Sequence, residues 1–425
     1  MSKTVRCTAP FVAALALAVA GCGGGSSSGS GATAGTGSTG STAEAVALTT
    51  PAAGCGSLPL PAVQDPDGVV AQLPADHQAA YKGYPYVVHK SPWADWKPKG
   101  EPPYKVGVAW GPSTAGFQVD MGKALVDRLK ASPLVSDVEY RTMGADVNVP
   151  AQLANYNALV NEGVDIMIVE PLLAPPFLAP IKKAAEKGIP TVTVQTVADT
   201  PYAVNVSPNL TLANAEASAR LLQMIGGKGN VLRVGGIPGV PSEIEADTAQ
   251  KLVLKECPDV KDAGQVYGNF VSPNAKSETL KFLATHPTKI DGVLQSGTMT
   301  DGIMSAFQQT GRPMPIVADI GPTKGGVGYW INNRDSYQGV GTAFGPSALG
   351  TAGADVTLRM LEGQGPKTSN MVARIPLLTD ENLDQWADKS WTLTTPGQPE
   401  GPPNSWFTDE YLDPFFANGA PPQGD

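Results

Sequence analysis

Side chains that could do acid–base or covalent chemistry are few in this chain, and they are not spaced for it. His77 and His89 fall in an irregular segment, and His286 precedes a proline in a predicted turn, so all three are expected at the surface. From residue 51 onward the sequence has no Gly-x-Ser-x-Gly elbow, His-Glu-x-x-His pair, Cys-x-x-Cys pair or phosphate-binding glycine loop. Carboxylates are numerous, which leaves an acid–base pair open. The sequence favours binding over catalysis, with an extracellular hydrolase as the lesser alternative.

Cys22 is the residue with the clearest predicted chemistry. Two basic residues precede an apolar run over residues 11–20, and Val-Ala-Gly leads into Cys22, as at the end of a secretory signal. This stretch resembles the lipobox of bacterial lipoproteins, which implies cleavage before Cys22 and a lipid on its sulfur. The alternative is an ordinary signal peptide with a chance cysteine. Residues 1–22 are thus predicted to be a lipoprotein signal peptide, and the Gly/Ser/Thr-rich residues 23–50 a flexible tether.

Two further cysteines, Cys55 and Cys257, lie in the predicted mature chain. Export to an oxidising compartment would allow them to form a disulfide, which would pin the N-terminal extension to the body. The alternative is two unpaired, small apolar side chains. The sequence leaves both interpretations open.

Composition and charge limit the class of protein. The chain has 425 residues, of which 42% are hydrophobic and 16% charged, and this suits one large or two medium domains with well-formed cores. The net charge is −9 and no cluster of lysine and arginine occurs, which argues against a nucleic-acid partner. No apolar run after the signal approaches the length of a membrane span.

Short apolar strands alternate with amphipathic helices in two successive series, over residues 104–194 and 211–319. Continuously apolar strands between helices indicate parallel sheets that are covered on both faces. The predicted fold class is therefore α/β, with two doubly wound parallel-sheet lobes. Ligands of such sheets bind at the carboxyl ends of the strands, so the cleft between the lobes is the expected site.

The two ends of the predicted folded body lack this alternation of strands and helices. Residues 51–103 form a Pro/aromatic-rich extension, predicted to be an ordered wrap or a stalk. Residues 371–378 are predicted to be one final strand. Residues 392–425 form a Pro/aromatic-rich tail, whose aromatic side chains are expected to pack back on the body because a free tail would rarely contain so many.

From about residue 105 to 383 the chain resembles the ribose/galactose-type substrate-binding proteins of ABC importers. The resemblance rests on the order and spacing of five stretches: 106–117, 162–171, 184–194, 291–296 and 345–362. It implies a periplasmic-binding-protein fold of type I, in which the chain crosses between the lobes three times. The implied crossings lie near 207–209, 344–345 and 367–370, which gives lobe 1 as 104–208 plus 345–366 and lobe 2 as 209–344 plus 367–391.

The same resemblance implies a set of ligand-binding residues at the loops that follow the strands. Trp110 and Phe117 could instead be core residues, and Asp319 could be a helix cap. Where the family often has an acid and an arginine after the fourth strand, this chain has Gln195 and Thr196, so the site is expected to be more aromatic and less ionic than a pentose site. The expected site residues are Trp110, Thr114, Phe117, Gln195, Thr196, Phe270, Ser296, Asp319 and Phe344.

The sequence thus predicts an extracytoplasmic solute-binding lipoprotein that is anchored to the membrane by its N-terminal lipid. It would capture a sugar or sugar-like ligand by hinge closure and deliver it to an ABC permease and its ATPase. The prediction includes a monomer with no cofactor, no metal and no catalytic residues. A ligand-sensing receptor for a signalling partner is the alternative, and the identity of the ligand stays open between a larger sugar, a glycoside and a non-sugar metabolite.

Overall fold

The computed structural model describes residues 55–114 and 116–418. The predicted signal peptide (1–22) with its candidate lipidation site Cys22, and the predicted tether (23–50), lie outside the described residues. Over the described chain, every helix is too short or too polar to span a bilayer.

The N-terminal extension contains a short helix, α1, and the first series of strands and helices begins after it at β1. β3 and β4 are buried along their whole length, because helices cover both faces of their sheet. α3 begins after Asn148, whose side chain accepts a hydrogen bond from the Ala151 N–H, and it ends at Gly163, whose φ of 79° lies in the left-handed region. The elements are α1 (Ala75–Ala80), β1 (Tyr104–Trp110), α2 (Gly116–Lys130), β2 (Val135–Thr142), α3 (Val149–Glu162), β3 (Ile166–Val169), α4 (Leu178–Glu186), β4 (Thr191–Val194) and β5 (Ala203–Pro208).

The second series repeats this alternation. Asn209 caps the start of α5 by accepting from the Leu212 N–H, and Gly311, in the left-handed conformation, caps the end of α8. The elements are α5 (Leu210–Met224), β6 (Gly229–Gly235), α6 (Pro241–Lys255), β7 (Val260–Tyr267), α7 (Ser272–Thr285), β8 (Gly292–Gln295), α8 (Thr300–Thr310), β9 (Ile316–Asp319), α9 (Lys324–Asn332) and β10 (Val340–Thr342). They are followed by α10 (Pro346–Leu361), β11 (Asn370–Ala373), β12 (Leu377–Leu378) and α11 (Asp409–Leu412).

The strands form two six-stranded sheets. The first has the order β11-β5-β4-β3-β1-β2, and all of its pairs are parallel. The second has the order β12-β10-β9-β8-β6-β7, and only β12 runs antiparallel to its neighbour. Both sheets have helices on their faces, so the predicted class of two doubly wound α/β lobes is confirmed. We call the lobe built on the first sheet lobe 1 and the other lobe 2.

The chain passes from lobe 1 to lobe 2 between β5 and α5, and returns between β10 and α10. The predicted third crossing, near 367–370, is wrong, because β11 pairs in parallel with β5 and so belongs to lobe 1. Residues 371–378 are therefore two strands rather than one, and the crossing lies at 374–376. Pro376 has no N–H with which to continue a ladder, so the strand divides there and β12 joins the second sheet.

The N-terminal extension is ordered and contacts both lobes. Cys55 and Cys257 form a disulfide with a Cα–Cα distance of 4.4 Å, which ties the beginning of the described chain to the turn after α6 in lobe 2. Further along, the Tyr81 hydroxyl donates to the Asn370 carbonyl oxygen at 2.6 Å, and the Trp93 indole donates to the Tyr202 carbonyl oxygen at 2.8 Å, both in lobe 1. The extension therefore braces the two lobes rather than standing away as a stalk.

The aromatic residues of the C-terminal tail pack into the core of lobe 1, as expected. Arg359 of α10 pairs with Asp409 at 3.2 Å and with Asp413 at 2.7 Å, which fixes the tail to this lobe. His77 is buried against this tail, its ring stacked on Tyr411 at 4.0 Å, so the expectation of a surface histidine is wrong there. The buried tail residues are Trp406, Phe407, Leu412, Phe415 and Phe416.

Candidate ligand-binding site

A cavity of about 450 Å³ lies between the lobes, within the size range of small-molecule sites. It is lined by residues that follow the carboxyl ends of strands in both sheets, where a doubly wound fold binds its ligands. The lining residues are Pro112, Thr114, Gly116, Phe117, Gln118, Ala145, Val147, Glu170, Leu172, Gln195, Thr196, Leu210, Ile237, Val240, Pro241, Ser242, Asn269, Phe270, Val271, Ser296, Gly297, Thr298, Ile320, Gly321, Thr342, Phe344, Ile375 and Gln398.

Most of the residues expected at the site line this cavity. Lobe 1 supplies the loop between β1 and α2 and the residues after β4, whereas lobe 2 supplies the loops after β7 and β8. Phe344 lies in the passage between β10 and α10. The expected residues that line the cavity are Thr114, Phe117, Gln195, Thr196, Phe270, Ser296 and Phe344.

Trp110 does not line the cavity, so its expected stacking on a ligand is wrong. It is the last residue of β1, its side chain is 0% exposed, and its indole N–H donates to the Gln118 carbonyl oxygen at 2.8 Å. The ring packs against α2 at Gly122, where an added Cβ would lie 2.7 Å from the indole nitrogen. Trp110 therefore belongs to the core of lobe 1, the alternative that the sequence left open.

Asp319 also lies behind the cavity wall, with 3% of its surface exposed. The Thr300 hydroxyl donates to its carboxylate at 2.7 Å, which ties the end of β9 to the first residue of α8. Burial raises the pKa of Asp319 to about 7. Its expected hydrogen bond to a ligand is corrected to an internal contact that holds two elements of lobe 2 together.

Glu170, directly after β3, is a site residue that the sequence analysis did not single out. One of its carboxyl oxygens, Oε2, is buried and has no hydrogen-bond partner among the described residues. Burial raises the pKa of Glu170 to about 8, so at neutral pH the carboxyl mostly holds its proton and can donate it to a ligand oxygen. An added Cβ at Gly111 would overlap Oε2, so the carboxyl packs closely against the backbone at that position. The available signal was a carboxylate that directly follows a wholly apolar strand.

Backbone strain is concentrated around the cavity. Four lining residues other than glycine have φ in the left-handed region: Gln195 at 69°, Asn269 at 57°, Phe270 at 60° and Thr298 at 55°. Such conformations cost about 1–3 kcal/mol each and persist where the surrounding structure holds them, commonly at ligand sites. The Gln195 N–H donates to the Val206 carbonyl oxygen at 3.0 Å, which fixes the turn after β4.

Three phenylalanines give the cavity its apolar faces. Phe270, from lobe 2, fits over Gly236, where an added Cβ would overlap its ring, and beside Gly297. Phe117 and Phe344 lie with their ring centroids 6.0 Å apart. Aromatic faces of this kind suit the C–H face of a sugar ring.

The polar groups of the cavity are almost all uncharged. Among its described lining residues, Glu170 is the single ionisable side chain. The side-chain oxygens Oε1 of Gln195, Oγ of Ser296 and Oε1 of Gln398 are also buried without a hydrogen-bond partner in the described chain. Buried polar atoms without partners are costly, so these oxygens are groups that a polar ligand would satisfy.

Residues 55–114 and 116–418 contain no group of three or more His, Cys, Asp or Glu side chains placed to bind a metal ion. The histidines do not line the cavity.

The sequence is similar to a known protein family and to a characterised relative. The sequence matches the family described as "Periplasmic binding protein domain" over residues 106–365. It is 28% identical over 253 residues to a xylitol-binding protein of Mycolicibacterium smegmatis, a match that spans 59% of this chain and 71% of the relative.

Two solved structures share the fold. An ABC transporter solute-binding protein from Thermobispora bispora has a TM-score of 0.60 and 23% identity, with 70% of this chain and 99% of that one covered. An ABC transporter solute-binding protein from Bacillus halodurans with bound myo-inositol also has a TM-score of 0.60, at 18% identity, with 67% and 98% covered. These relatives are named as binding proteins rather than enzymes.

Proposed function

The chain belongs to the periplasmic binding protein family, and on that premise we propose that it captures a small, uncharged sugar or polyol between its lobes and releases it unchanged. The observation that carries the proposal is the set of buried, unpartnered oxygens of Glu170, Gln195 and Ser296 around one cavity. Hydroxyl groups of a polyol both donate and accept, so they match an amide oxygen, a serine hydroxyl and a protonated carboxyl.

The absence of a cationic side chain from the described cavity lining argues against an anionic ligand, since a buried anion would need a charged partner. The xylitol-binding protein and the myo-inositol complex among the similar proteins support a polyol in particular. Phe117, Phe270 and Phe344 would contact the C–H groups of the ligand, while Thr114, Thr196 and Ser296 would complete its hydrogen bonds.

Binding would proceed by hinge closure of the two lobes. Each lobe contributes polar groups, so a ligand in contact with both favours the closed arrangement and shifts the population towards it. No bond of the ligand is made or broken in this process, and the proposed activity needs neither cofactor nor metal.

The proposed partner of the closed form is an ABC permease with its ATPase. A chain of this kind would work as a monomer outside the cytoplasm, where the Cys55–Cys257 disulfide is stable. Deleting the chain from its host should abolish uptake of the labelled ligand. Uptake at the normal rate in the deletion strain would contradict the transport role.

The proposed attachment to the membrane is a lipid on Cys22, supported by the lipobox-like stretch and the tether that follows it. Cys22→Ser should move the mature protein from the membrane fraction to the medium, because the anchoring sulfur is lost. A variant that stays in the membrane fraction would contradict the anchor.

A melting-temperature screen tests the proposed ligand class. Xylitol, myo-inositol and D-allose are compared with the charged analogues xylonate and inositol monophosphate. A neutral ligand at about 100 times its Kd should stabilise the folded protein by about 2.7 kcal/mol, and the charged analogues should not. Stabilisation by the charged analogues alone would contradict an uncharged ligand.

A further inference from the structure

The C-terminal segment makes a fourth passage between the lobes, beside the ligand cavity. Residues 396–400 leave lobe 2 at α9, where the Lys324 N–H donates to the Gly397 carbonyl oxygen at 2.8 Å. They reach lobe 1 at α10, where the Ser347 N–H donates to a Glu400 carboxylate oxygen at 3.2 Å. We call residues 396–400 the crossing segment.

Glycines along this route make room for the C-terminal chain. An added Cβ at Gly345 would lie 2.9 Å from the carbonyl oxygens of Pro399 and Glu400. Just before the crossing segment, an added Cβ at Gly325 would lie 2.6 Å from the Leu393 carbonyl oxygen. Both distances are shorter than real side chains tolerate, so the body is shaped to hold the segment in this position.

The crossing segment presents Gln398 to the ligand cavity. Gln398 is part of the cavity lining, and its Oε1 is buried without a hydrogen-bond partner among the described residues. An added Cβ at Gly116, the first residue of α2, would lie 3.9 Å from this oxygen. The oxygen therefore lies against the start of α2, which supplies Phe117 to the same cavity, next to the loop that supplies Thr114.

Gln398 also separates the ligand cavity from a neighbouring cavity of about 420 Å³. Phe270, Thr298 and Gln398 line both cavities, while Lys276 and Asp301 line the second one alone. Removing the Gln398 side chain would therefore take away a hydrogen-bond acceptor and part of the wall that excludes water from the ligand.

The crossing segment lies beyond the matched family domain, which ends at residue 365. The two solved relatives are covered over 98–99% of their own length, although about a third of this chain is left uncovered. The wall that Gln398 forms is thus built from sequence outside the matched domain.

We propose that Gln398 is a ligand-contacting residue, and that the crossing segment closes one side of the binding site of this protein. The inference rests on the proposed function, because it assigns a further contact in the same site. The Gln398 Oε1 would accept a hydrogen bond from a ligand hydroxyl, and affinity and selectivity would then depend on the C-terminal segment.

The test compares Gln398→Ala with Gln385→Ala in the full mature chain. Gln385 is exposed and does not line the cavity, so the control makes the same chemical change elsewhere in the C-terminal region. Calorimetric titrations with xylitol, myo-inositol and D-allose are run on both variants and on the wild type. A probe that the wild type binds should bind to Gln398→Ala about tenfold more weakly, whereas its affinity for Gln385→Ala should be unchanged. The wild type and both variants should melt at similar temperatures without ligand.

The outcomes separate the inference from the proposed function. Equal affinity of Gln398→Ala and the wild type would overturn the role of Gln398 while leaving the proposed function intact. An equal loss in Gln385→Ala would overturn it too, because the effect would then not be specific to the cavity. A wild type that binds none of the three probes would overturn the proposed ligand class, and the contact inferred from it.

Discussion

Glu170, Gln195 and Gln398 are the residues whose surroundings most restrict the ligand. Each places a buried oxygen without a partner beside the same cavity, and none has a cation next to it in the cavity lining. Three such oxygens close to aromatic faces suit a molecule with many hydroxyl groups and an apolar ring face. The chemistry of the site is therefore decided by a few side chains rather than by the fold.

Glu170 should make the stability of the unliganded protein depend on pH. Burial raises its pKa to about 8 in the folded state, whereas in the unfolded chain the pKa is near 4.5. Between pH 4.5 and 8 the folded state holds a proton that the unfolded state has released. The contribution of Glu170 to the unfolding free energy is therefore fully present below pH 4.5 and is lost as the pH rises to about 8. Glu170→Gln should flatten the fall in unfolding free energy between pH 5 and 8, by at most about 1.4 kcal/mol per pH unit.

Denaturant titrations at several pH values measure this effect. Glu245 and Asp319, whose pKa values are each raised to about 7 by burial, keep part of the slope in the variant. Glu410→Gln, at an exposed position of α11, is the matched control and should leave the profile as in the wild type. A Glu170→Gln profile that is as steep as the wild type would show that this carboxyl does not hold its proton.

Phe270 and Trp110 should respond in opposite ways to substitution. Phe270→Ala removes an aromatic wall of the cavity, so the affinity for a neutral polyol should fall about tenfold, or about 1.4 kcal/mol. Trp110→Phe removes a core hydrogen bond, so the unfolding free energy should fall while the affinity stays within about twofold. Titration calorimetry measures the affinity of both variants, and denaturant unfolding measures their stability. A loss of affinity in Trp110→Phe but not in Phe270→Ala would contradict the assignment of Trp110 to the core.

At the scale of single residues, the loops that form the site could be predicted from the sequence more reliably than the side chains that line it. Phe270 and Gln195 could be placed because they follow predicted strands, at the sheet edge where ligands bind. Trp110 could not, because it ends a strand, and the side on which its ring points depends on register and packing that the sequence does not show. Glu170 went unnoticed because its raised pKa comes from burial by residues that are distant in sequence.

At the scale of elements, most strands were predictable from their apolar residues, but β5 was not. β5 has the sequence Ala-Val-Asn-Val-Ser-Pro, and its Asn205 looks like a loop residue. In the structure the Asn205 side chain accepts from the Thr193 hydroxyl at 2.6 Å and from the Ala198 N–H at 2.8 Å. A buried network of this kind makes a polar residue compatible with a central strand, but no local pattern reveals it.

The Cys55–Cys257 disulfide is an element-scale feature with a measurable consequence. It joins residues 202 positions apart, and a loop of that length reduces the entropy of the unfolded chain substantially. The double variant Cys55→Ser/Cys257→Ser should lose about 4 kcal/mol of unfolding free energy, while keeping its affinity for a neutral polyol, since neither cysteine lines the cavity. Denaturant unfolding measures this loss, and an unchanged midpoint would contradict a stabilising bond.

On the scale of the whole molecule, two terminal regions outside the matched domain connect the lobes. The N-terminal extension is bonded to lobe 2 through Cys55 and hydrogen-bonded to lobe 1 through Tyr81 and Trp93. The crossing segment connects α9 with α10 on the side of the cavity. The sequence predicted that the tail packs on the body and that the extension is an ordered wrap or a stalk. It did not show that either region connects the lobes, because contacts between distant segments have no local signature.

The central claim is that the paired lobes bind a neutral polyhydroxy compound reversibly. Its most direct test is a calorimetric titration of the mature wild-type protein with xylitol, myo-inositol and D-allose, followed by mass analysis of the ligand recovered after denaturation. We expect saturable binding of at least one of these compounds at one molecule per chain, with the ligand recovered intact. Absence of binding to all three, or recovery of a chemically altered product, would contradict it.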